Sequence, residues 1–375
     1  MDHSPRRAFL RQAAVLGAAF SILSQGFLRA SSSIRIGIIG CGQWGRDCLG
    51  HALRHPGVQV RALCEPDAVQ RALALSSCSF SSPSLCTHWQ QLVQRKDIDA
   101  VLIATPWQWH GVMALAALRA GKHVLCGPVA ATTPQGHDAL ALASLQHGRQ
   151  YITLNETDFH EDQQALQQMV KTGLFGDILQ IHTGVHCAQL PGHRYALQGA
   201  SSAVSMLGVD TANPFVQLSL RKETMEYITQ RVGRKGQPYL VHQHGRLPVL
   251  EATTASGQSL KLQAGHMGQS PVAIGFRLQG SKGQWLESGR VLQRTEMLAC
   301  HQWEAGRPYL EAHKPISSLP ASALAFDHAI ASLKTGGPTA DALYQTLAMS
   351  RLQSFARKTL RSPDATLQLP AWIRD

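Results

Sequence analysis

The stretch IRIGIIGCGQWG, residues 34–45, joins an isoleucine-rich run to a glycine-rich turn. The β-branched composition of its first half is typical of a buried parallel strand. Gly40, Gly42 and Gly45 follow in G-x-G-x-x-G spacing, and the chain beyond them is compatible with a helix as far as His55. A strand, a glycine turn and a helix start form the context in which this spacing binds a dinucleotide.

Each glycine of the turn has its own expected role. Gly40 permits the tight turn, Gly42 lets the backbone approach a pyrophosphate, and Gly45 lets helix and strand pack closely. Gln43 and Trp44 lie inside the same turn. The free N–H groups at the helix start favour phosphate binding. The alternative is a glycine turn that holds no ligand.

An acidic residue follows at the distance that this interpretation requires. Residues 59–64 (QVRALC) read as a second strand, and the strand ends at Glu65, twenty residues after Gly45. A carboxylate at this position binds a ribose 2′-OH and repels a 2′-phosphate, which favours NAD over NADP. The alternative is a solvated loop carboxylate.

The chain then alternates between helical and strand patterns, which predicts a Rossmann, doubly wound parallel sheet. A serine-rich loop is expected over residues 76–84. The predicted helices are 67–75, 89–94, 107–120 and 133–147, and the predicted strands are 99–104, 123–126 and 151–154. Ligands bind at the carboxyl ends of such strands, so three loops should meet at the glycine turn: 105–110, 126–128 and 155–159.

Composition limits the classes of function. The chain has 375 residues, enough for two domains, and a net charge of +11, of which the segment before Ile34 contributes +3. The basic residues form no run or aromatic-interleaved patch, so the charge does not indicate nucleic acid. The eight cysteines include no C-x-x-C pair, so no metal site is predicted, and disulfides cannot be assigned.

The N-terminus has the pattern of an export signal. Residues 4–11 read SPRRAFLR, and a modest apolar run over residues 13–23 follows. This resembles a twin-arginine signal and predicts a periplasmic or otherwise exported protein. The run is too short to span a membrane. The alternative is a mobile basic helix on a cytoplasmic protein.

Five ordered stretches together resemble the Gfo/Idh/MocA family of NAD(P)-dependent, mostly sugar-directed oxidoreductases. They are IGIIGCGQWG, ALCEPD, ATPWQWH, LRAGKHVLCGPVA and KTGLFGDIL. TPWQWH, GLFGDIL and the later GFRLQGSKG most resemble the glycoside hydrolase family 109 branch, NAD-dependent α-N-acetylgalactosaminidases. The resemblance implies three parts: a Rossmann domain over 34–155, an α+β domain with an open, mostly antiparallel sheet over 156–323, and C-terminal helices over 324–375.

The resemblance also implies a set of residues that contact NAD. Besides the glycine turn and Glu65, this set includes the stretch Thr105–His110. It also includes residues of two further loops, those at 126–128 and 155–159. The implied set is Gly40, Gly42, Gln43, Trp44, Gly45, Glu65, Thr105, Pro106, Trp107, Gln108, Trp109, His110, Cys126, Gly127 and Glu156.

Several catalytic positions depart from the family pattern. The wider family has E-K-P where this chain has Cys126, Gly127 and Pro128, so the lysine is absent. The hydrolase branch has L-E-N-x-x-Y where this chain reads LNETDF over residues 154–159. The histidine of the branch motif Y-P-T-H-G becomes Gln198, which cannot take a proton near neutral pH.

His186, Tyr195 and Asp210 remain as candidates for acid–base work. Asp210 stands where the oxidoreductases carry a histidine, and Asn213 replaces their final acid. The alternative for each candidate is structural: a hydrogen-bonded histidine, a packing tyrosine and a capping aspartate.

Three functions remain open. The first is a sugar-directed, NAD-dependent oxidoreductase, and the second is a glycosidase that oxidises a ring hydroxyl transiently and returns the hydride. The third is a non-catalytic nucleotide-binding scaffold, which the altered positions favour. We expect a carbohydrate substrate, no nucleic acid, no membrane span and a homo-oligomer.

Overall fold

The computed structural model describes most of the chain after the N-terminal segment. The described residues are 33–78, 82–185, 201–232, 237–264, 269–271, 276–287, 291–294, 303–315, 317–337, 339–359 and 366–369.

The first sheet contains six parallel strands in the order β3-β2-β1-β4-β5-β6. Its strands are β1 (Ile34–Ile39), β2 (Val58–Cys64), β3 (Ser84–Cys86), β4 (Ala100–Ile103), β5 (His123–Cys126) and β6 (Tyr151–Thr153). The helices between them are α1 (Gln43–Arg54), α2 (Ala68–Ser76), α3 (Trp89–Val93), α4 (Trp107–Arg119) and α5 (Pro134–His147). This order places a crossover beside β1, where the carboxyl ends of β1 and β4 open a crevice. The predicted doubly wound sheet is confirmed.

The central strands are apolar because both faces of a parallel sheet are covered. Ile36 and Ile38 of β1 are fully buried, as are all four residues of β4. At the opposite end of the sheet from the crevice, the Arg35 guanidinium binds the Asp99 carboxylate with two bonds of 2.6 and 2.9 Å. This pair ties β1 to the start of β4, away from the candidate site.

The chain divides into two compact units, and the C-terminal helices contribute to the first. The first unit runs to Glu156 and includes Leu319–Ser350, which contains α9 (Ala321–Thr335) and the first half of α10 (Ala340–Thr359). Phe326 of α9 is buried in the same core as Ile36 and Ile38.

The second unit comprises residues 157–318 and 351–372 and is built on a mixed, mostly antiparallel sheet. In the described residues the sheet has the order β11-β8-β9-β10-β7-β12-β13-β14-β15, with β16 paired to β8. Its strands are β7 (Ile178–Val185), β8 (Phe215–Val232), β9 (Pro238–Thr254), β10 (Ser259–Ala264), β11 (Gln269–Pro271), β12 (Arg277–Gly280), β13 (Gly283–Leu286), β14 (Val291–Arg294), β15 (Glu304–Ala305) and β16 (Thr366–Gln368). Its helices are α6 (Glu161–Lys171), α7 (Ser201–Met206) and α8 (Arg307–His313), after a 3₁₀ turn at Glu156–Phe159. The predicted second fold class is confirmed.

Three elements differ from the expectation. The serine-rich loop ends in strand β3, which the sequence pattern did not predict. Helix α9 begins at Ala321, before the start of the C-terminal helices implied at residue 324, and β16 adds a strand after α10. Among the described helices none is long and apolar enough to cross a membrane.

Candidate functional site

The glycine turn has a backbone that only glycine fits at its first position. Gly40 has φ +92°, and a Cβ there would lie 2.6 Å from the carbonyl oxygen of Ala104. A Cβ on Gly45 would overlap the carbonyl oxygen of Gly40. Both glycines therefore permit the close passage of β1, the turn and α1.

Gly42 differs from the other two glycines of the turn. It is the N-cap of α1, with φ −60° and ψ −176°, a conformation open to any residue. A Cβ on Gly42 would meet nothing within 4 Å. The space above it is free, and the first turn of α1 carries no acidic residue. An anionic pyrophosphate fits this cradle, because the helix start offers N–H donors and a positive dipole end.

Glu65 lies beside the turn, at the end of β2. Its Oε2 accepts a 2.7 Å hydrogen bond from the Cys41 N–H, and its Oε1 accepts a 3.0 Å bond from the Asp67 N–H. A carboxylate has about four acceptor positions, so each oxygen keeps one for a ribose hydroxyl. The structure therefore fixes the acid in a geometry suited to a ribose.

Arg46 is a site residue that the sequence analysis missed. Its Nη1 donates to the Cys41 carbonyl at 2.9 Å and to the side chain of Gln70, while Nη2 donates to Gln43 Oε1 at 2.9 Å. Nearby, Arg71 Nη1 donates to the Glu65 carbonyl at 2.5 Å. Arg46 is thus tied to Cys41, whose N–H binds the Glu65 carboxylate, and Arg71 is tied to the Glu65 backbone. An arginine in the first turn after a G-x-G-x-x-G motif is the signal that could have indicated this role.

The Gln43 side chain is engaged within α1. Its Oε1 receives the Arg46 bond, and its Nε2 donates to Asp47 Oδ1 at 3.0 Å. The Gln43 side chain therefore orients Arg46, and its backbone remains part of the turn.

The loop after β5 is tightly packed at Gly127. A Cβ there would lie 3.3 Å from Trp44 Cη2 and 3.4 Å from His110 Cε1. Trp44 of the glycine turn thus packs where the wider family carries its lysine. The indole of Trp44 therefore limits the space at position 127.

His110 connects the loops that follow β4 and β5. Its ring is 2% exposed, with Nε2 at 2.7 Å from the Thr105 carbonyl and Nδ1 at 3.1 Å from the Val129 carbonyl. Burial alone would lower its pKa, but contact with Cys126 and the two carbonyls raises the pKa to about 9. His110 therefore acts on the site by positioning the two loops.

The other members of the TPWQWH stretch differ in exposure. Pro106 is the N-cap of α4, and Gln108 and Trp109 are exposed, whereas Trp107 is half-buried. Thr105 is also half-buried, and its hydroxyl donates to Met113 Sδ at 3.6 Å. The exposed indole of Trp109 is thus available to a ligand.

The loops after β5 and β6 supply the remaining predicted contacts. Cys126 is completely buried, and Cys41 and Cys64 are also buried free thiols. Burial raises the pKa of the Cys41 thiol to about 12, so this thiol is neutral in the turn. Glu156 is exposed at the start of the 3₁₀ turn. Cys126 thus supports the site from within, and Glu156 has a solvated carboxylate.

In the second unit, Asp210 caps a turn. Its Oδ1 accepts 2.8 Å hydrogen bonds from the N–H groups of Ala212 and Asn213. This is the structural alternative considered for Asp210, with one carboxylate oxygen committed to local backbone. His186 and Tyr195 lie outside the described residues, as does Gln198.

Asn213 holds the loop next to that turn. Its Nδ2 donates to Gln258 Oε1 at 2.7 Å, and its Oδ1 accepts a 3.0 Å bond from the Ser256 N–H. An aspartate could accept the second bond but not donate the first. The replacement of the family's acid by an amide is therefore explained by loop packing.

His182 on β7 is half-buried. Its Nε2 has no hydrogen-bond partner among the described residues, and burial lowers its pKa. The described residues also contain no group of three metal-ligating side chains.

Comparison with known proteins identifies the first unit. Residues 34–153 match the Gfo/Idh/MocA family model, described as an oxidoreductase family with an NAD-binding Rossmann fold. A glycosyl hydrolase family 109 protein of Stenotrophomonas maltophilia is 25% identical, over 97% of this chain and 94% of its own length. An alpha-N-acetylgalactosaminidase of Tannerella forsythia is 22% identical, over 92% of this chain and 87% of its own. The resemblance to the family and to this branch is confirmed.

Solved structures share the fold of nearly the whole chain. An oxidoreductase from Agrobacterium radiobacter, solved with NAD+, L-tartaric acid and magnesium, has a TM-score of 0.66 at 16% identity, covering 90% of this chain and 98% of its own. A levoglucosan dehydrogenase in complex with NADH and levoglucosan has a TM-score of 0.64 at 18% identity, covering 90% of this chain and 100% of its own. The predicted NAD-binding Rossmann domain is confirmed.

Proposed function

We propose that this chain, a Gfo/Idh/MocA-type protein with an NAD-binding Rossmann domain, is an NAD-dependent enzyme that acts on a carbohydrate. The observation that carries the proposal is the intact nucleotide cradle: an open approach at Gly42 beside the fixed carboxylate of Glu65. A bound nicotinamide ring would supply hydride acceptance and donation.

The residues of the chain then have separate tasks. The N-terminus of α1 and the open face of Gly42 accept the pyrophosphate, and Glu65 binds the ribose on the β2 side. The loops that follow β4 and β5 hold the other nucleotide, because the two halves of the sheet each bind one mononucleotide.

Sugar-directed oxidoreductase chemistry is the first form of this proposal. The levoglucosan dehydrogenase and the other oxidoreductase support it by fold alone. The first experiment is denaturing extraction of the purified protein with mass spectrometry of the released nucleotide. Recovery of NAD(H), followed by net NADH formation with a sugar, supports a dehydrogenase. No released nucleotide and no NAD or NADP binding on titration would overturn the proposal.

NAD-dependent glycoside hydrolysis is the second form. It is favoured by relatives of the hydrolase branch that match 97% and 92% of this chain. In this chemistry, oxidation of a ring hydroxyl acidifies the neighbouring C–H, elimination releases the aglycone, water adds, and the hydride returns. The lysine of the oxidoreductases is not needed for it, in agreement with Gly127.

A solvent-isotope experiment separates the two forms. p-Nitrophenyl α-N-acetylgalactosaminide is incubated with the holoprotein in D2O. Release of nitrophenol without net NADH, and with deuterium at the ring carbon next to the oxidised position, supports the hydrolase. Nucleotide binding with neither activity on sugars nor on glycosides would support the scaffold alternative. Substitution of His186, Tyr195 and Asp210 then identifies the proton acceptor.

We further propose that the N-terminal segment directs export by the twin-arginine route, which carries folded proteins with their nucleotide. The paired arginines Arg6 and Arg7 support this. Residues 1–33 fused to a periplasm-dependent reporter should give signal, and Arg6→Lys with Arg7→Lys should abolish it. The expectation of a homo-oligomer is tested by light scattering of the purified protein.

A further inference from the structure

A buried histidine lies under the half of the nucleotide site formed by β4, β5 and β6. His110 lies in the first turn of α4. Its ring nitrogens contact backbone carbonyls in the loop after β4 and in the loop after β5. By the two-fold organisation of the sheet, the adenosine lies over β1, β2 and β3, where Glu65 stands. The nicotinamide half therefore belongs to the His110 side.

The hydrogen bonds of His110 determine its charge. Nε2 lies 2.7 Å from the Thr105 carbonyl, and Nδ1 lies 3.1 Å from the Val129 carbonyl. Carbonyl oxygens only accept, so both contacts are hydrogen bonds only when both ring nitrogens carry a proton. A neutral ring would point a lone pair at a carbonyl in a place sealed from water. The titratable group that faces the ring is the Cys126 thiol, with Tyr151 on the far side of that thiol.

The hydrogen bond from His110 Nδ1 to the Val129 carbonyl holds a residue with an unfavourable backbone conformation. Val129 has φ +69°, a left-handed conformation that a β-branched residue rarely adopts. Strain of this kind persists only where the surroundings determine it, and it concentrates at functional sites. Here the Val129 carbonyl is held by His110, two residues after Gly127, in the loop that borders the nicotinamide half.

We propose that His110 is a positioning residue, protonated at neutral pH, that fixes the loop after β5 and whose charge makes the site favour NADH over NAD+. The oxidised nicotinamide ring carries a positive charge, and the reduced ring carries none. The His110 side chain is itself sealed from water, and its fixed positive charge repels the first and not the second. This inference rests on the proposed binding of NAD and adds to it the electrostatic preference of the site.

The test compares the affinities of the two nucleotide forms. The dissociation constants of NAD+ and NADH are measured by titration calorimetry on the full chain and on His110→Gln. We expect the ratio Kd(NAD+)/Kd(NADH) to fall roughly tenfold in the variant, the size expected for one fixed charge. Equal weakening of both nucleotides would mean that His110 is merely structural, and it would overturn the charge assignment.

A matched control and a rescue variant separate charge from folding. His123→Gln removes a half-buried histidine, neutral because its pKa is lowered to about 4, from the opposite end of β5, and it should leave the ratio unchanged. Val129→Gly relieves the left-handed strain, since glycine adopts φ +69° freely. The double variant His110→Gln with Val129→Gly should regain stability but keep the altered ratio. If the ratio returned to that of the parent chain, loop position alone would explain it.

A measurement without nucleotide keeps this inference distinct from the proposed function. In protein labelled with ¹⁵N-histidine, the resonances lost in His110→Gln should have the shifts of two protonated nitrogens at pH 7. The shift of an unprotonated nitrogen would overturn the inference, even in a protein that binds NAD. Two protonated nitrogens in a protein that binds no nucleotide would overturn the proposed function instead.

Discussion

Glu65 Oε2 accepts a 2.7 Å hydrogen bond from the backbone N–H of Cys41, so the acid at the end of β2 is tied to the glycine turn. The glycine turn and the acid, which we propose hold the adenosine, are thus linked directly, so a shift of the turn would also move the Glu65 carboxylate. Arg46 completes this unit by binding the Cys41 carbonyl. Loss of the Glu65 carboxylate should therefore affect both the position of the turn and the recognition of the ribose.

We expect Glu65→Ser to reverse the nucleotide preference. The variant loses a charge-assisted bond to the ribose, which raises the Kd of NAD about tenfold or more. It also removes the negative charge that repels a 2′-phosphate, next to the Arg71 guanidinium that binds the Glu65 carbonyl. Calorimetry should show Kd(NADP)/Kd(NAD) falling at least tenfold. Asp67→Asn, which keeps the cap of α2, is the control, and equal weakening of both nucleotides in Glu65→Ser would contradict the prediction.

Gly42→Val should abolish NAD binding in a folded protein. The Cβ position is open and the backbone angles suit any residue, so the cost is that of a poorer N-cap, about 1 kcal/mol of unfolding free energy. The β-branched side chain fills the pyrophosphate approach. Urea denaturation and calorimetry measure the two effects. Gly50→Val, in the middle of α1, should retain binding, whereas retained affinity in Gly42→Val would disprove the role of Gly42.

The sequence was sufficient for the nucleotide domain because its signals are local. An apolar strand, three spaced glycines and an acid at the next strand end each lie within a few residues of the group they position. Strand β3 was missed because three residues in a serine-rich stretch become a strand only by pairing with β2. That contact is absent from the local pattern.

The roles of polar side chains were harder to predict, since they depend on distant backbone. His110 has the motif position of a nucleotide contact, yet both of its ring nitrogens bind carbonyls of the protein. Asp210 has the position of a catalytic group, yet one oxygen caps its own turn. A sequence shows which residue type occupies a loop position. Only the folded chain shows which hydrogen-bonding atoms of that side chain are already bound to other groups of the protein.

The packing of Trp44 against Gly127 predicts that the two positions are energetically coupled. Gly127→Lys alone should lower the unfolding free energy by about 1–3 kcal/mol, because its Cβ presses on the indole at 3.3 Å. Trp44→Ala opens that space, so the double variant should be more stable than the sum of the single effects by about 0.5–3 kcal/mol. Urea denaturation of the four proteins measures this coupling. Simple additivity would mean that the indole does not exclude the lysine.

Two histidines of the nucleotide domain, His110 and His123, should give opposite dependences of stability on pH. Burial and the neighbouring Arg149 lower the pKa of His123 to about 4, so the folded protein keeps this ring neutral. The unfolded chain binds a proton below pH 6.5, and the stability due to His123 is therefore present above pH 6.5 and lost as the pH falls towards 4. For His110 the pKa is raised to about 9, so its contribution is present below pH 6.5 and lost as the pH rises through 9.

Between pH 7 and pH 5, the parent chain should lose about 2 kcal/mol more unfolding free energy than His123→Gln. Between pH 7 and pH 9, it should lose about 2 kcal/mol more than His110→Gln. Urea denaturation at the three pH values measures both slopes, and a variant slope that matches the parent in either range would disprove that histidine's assigned charge.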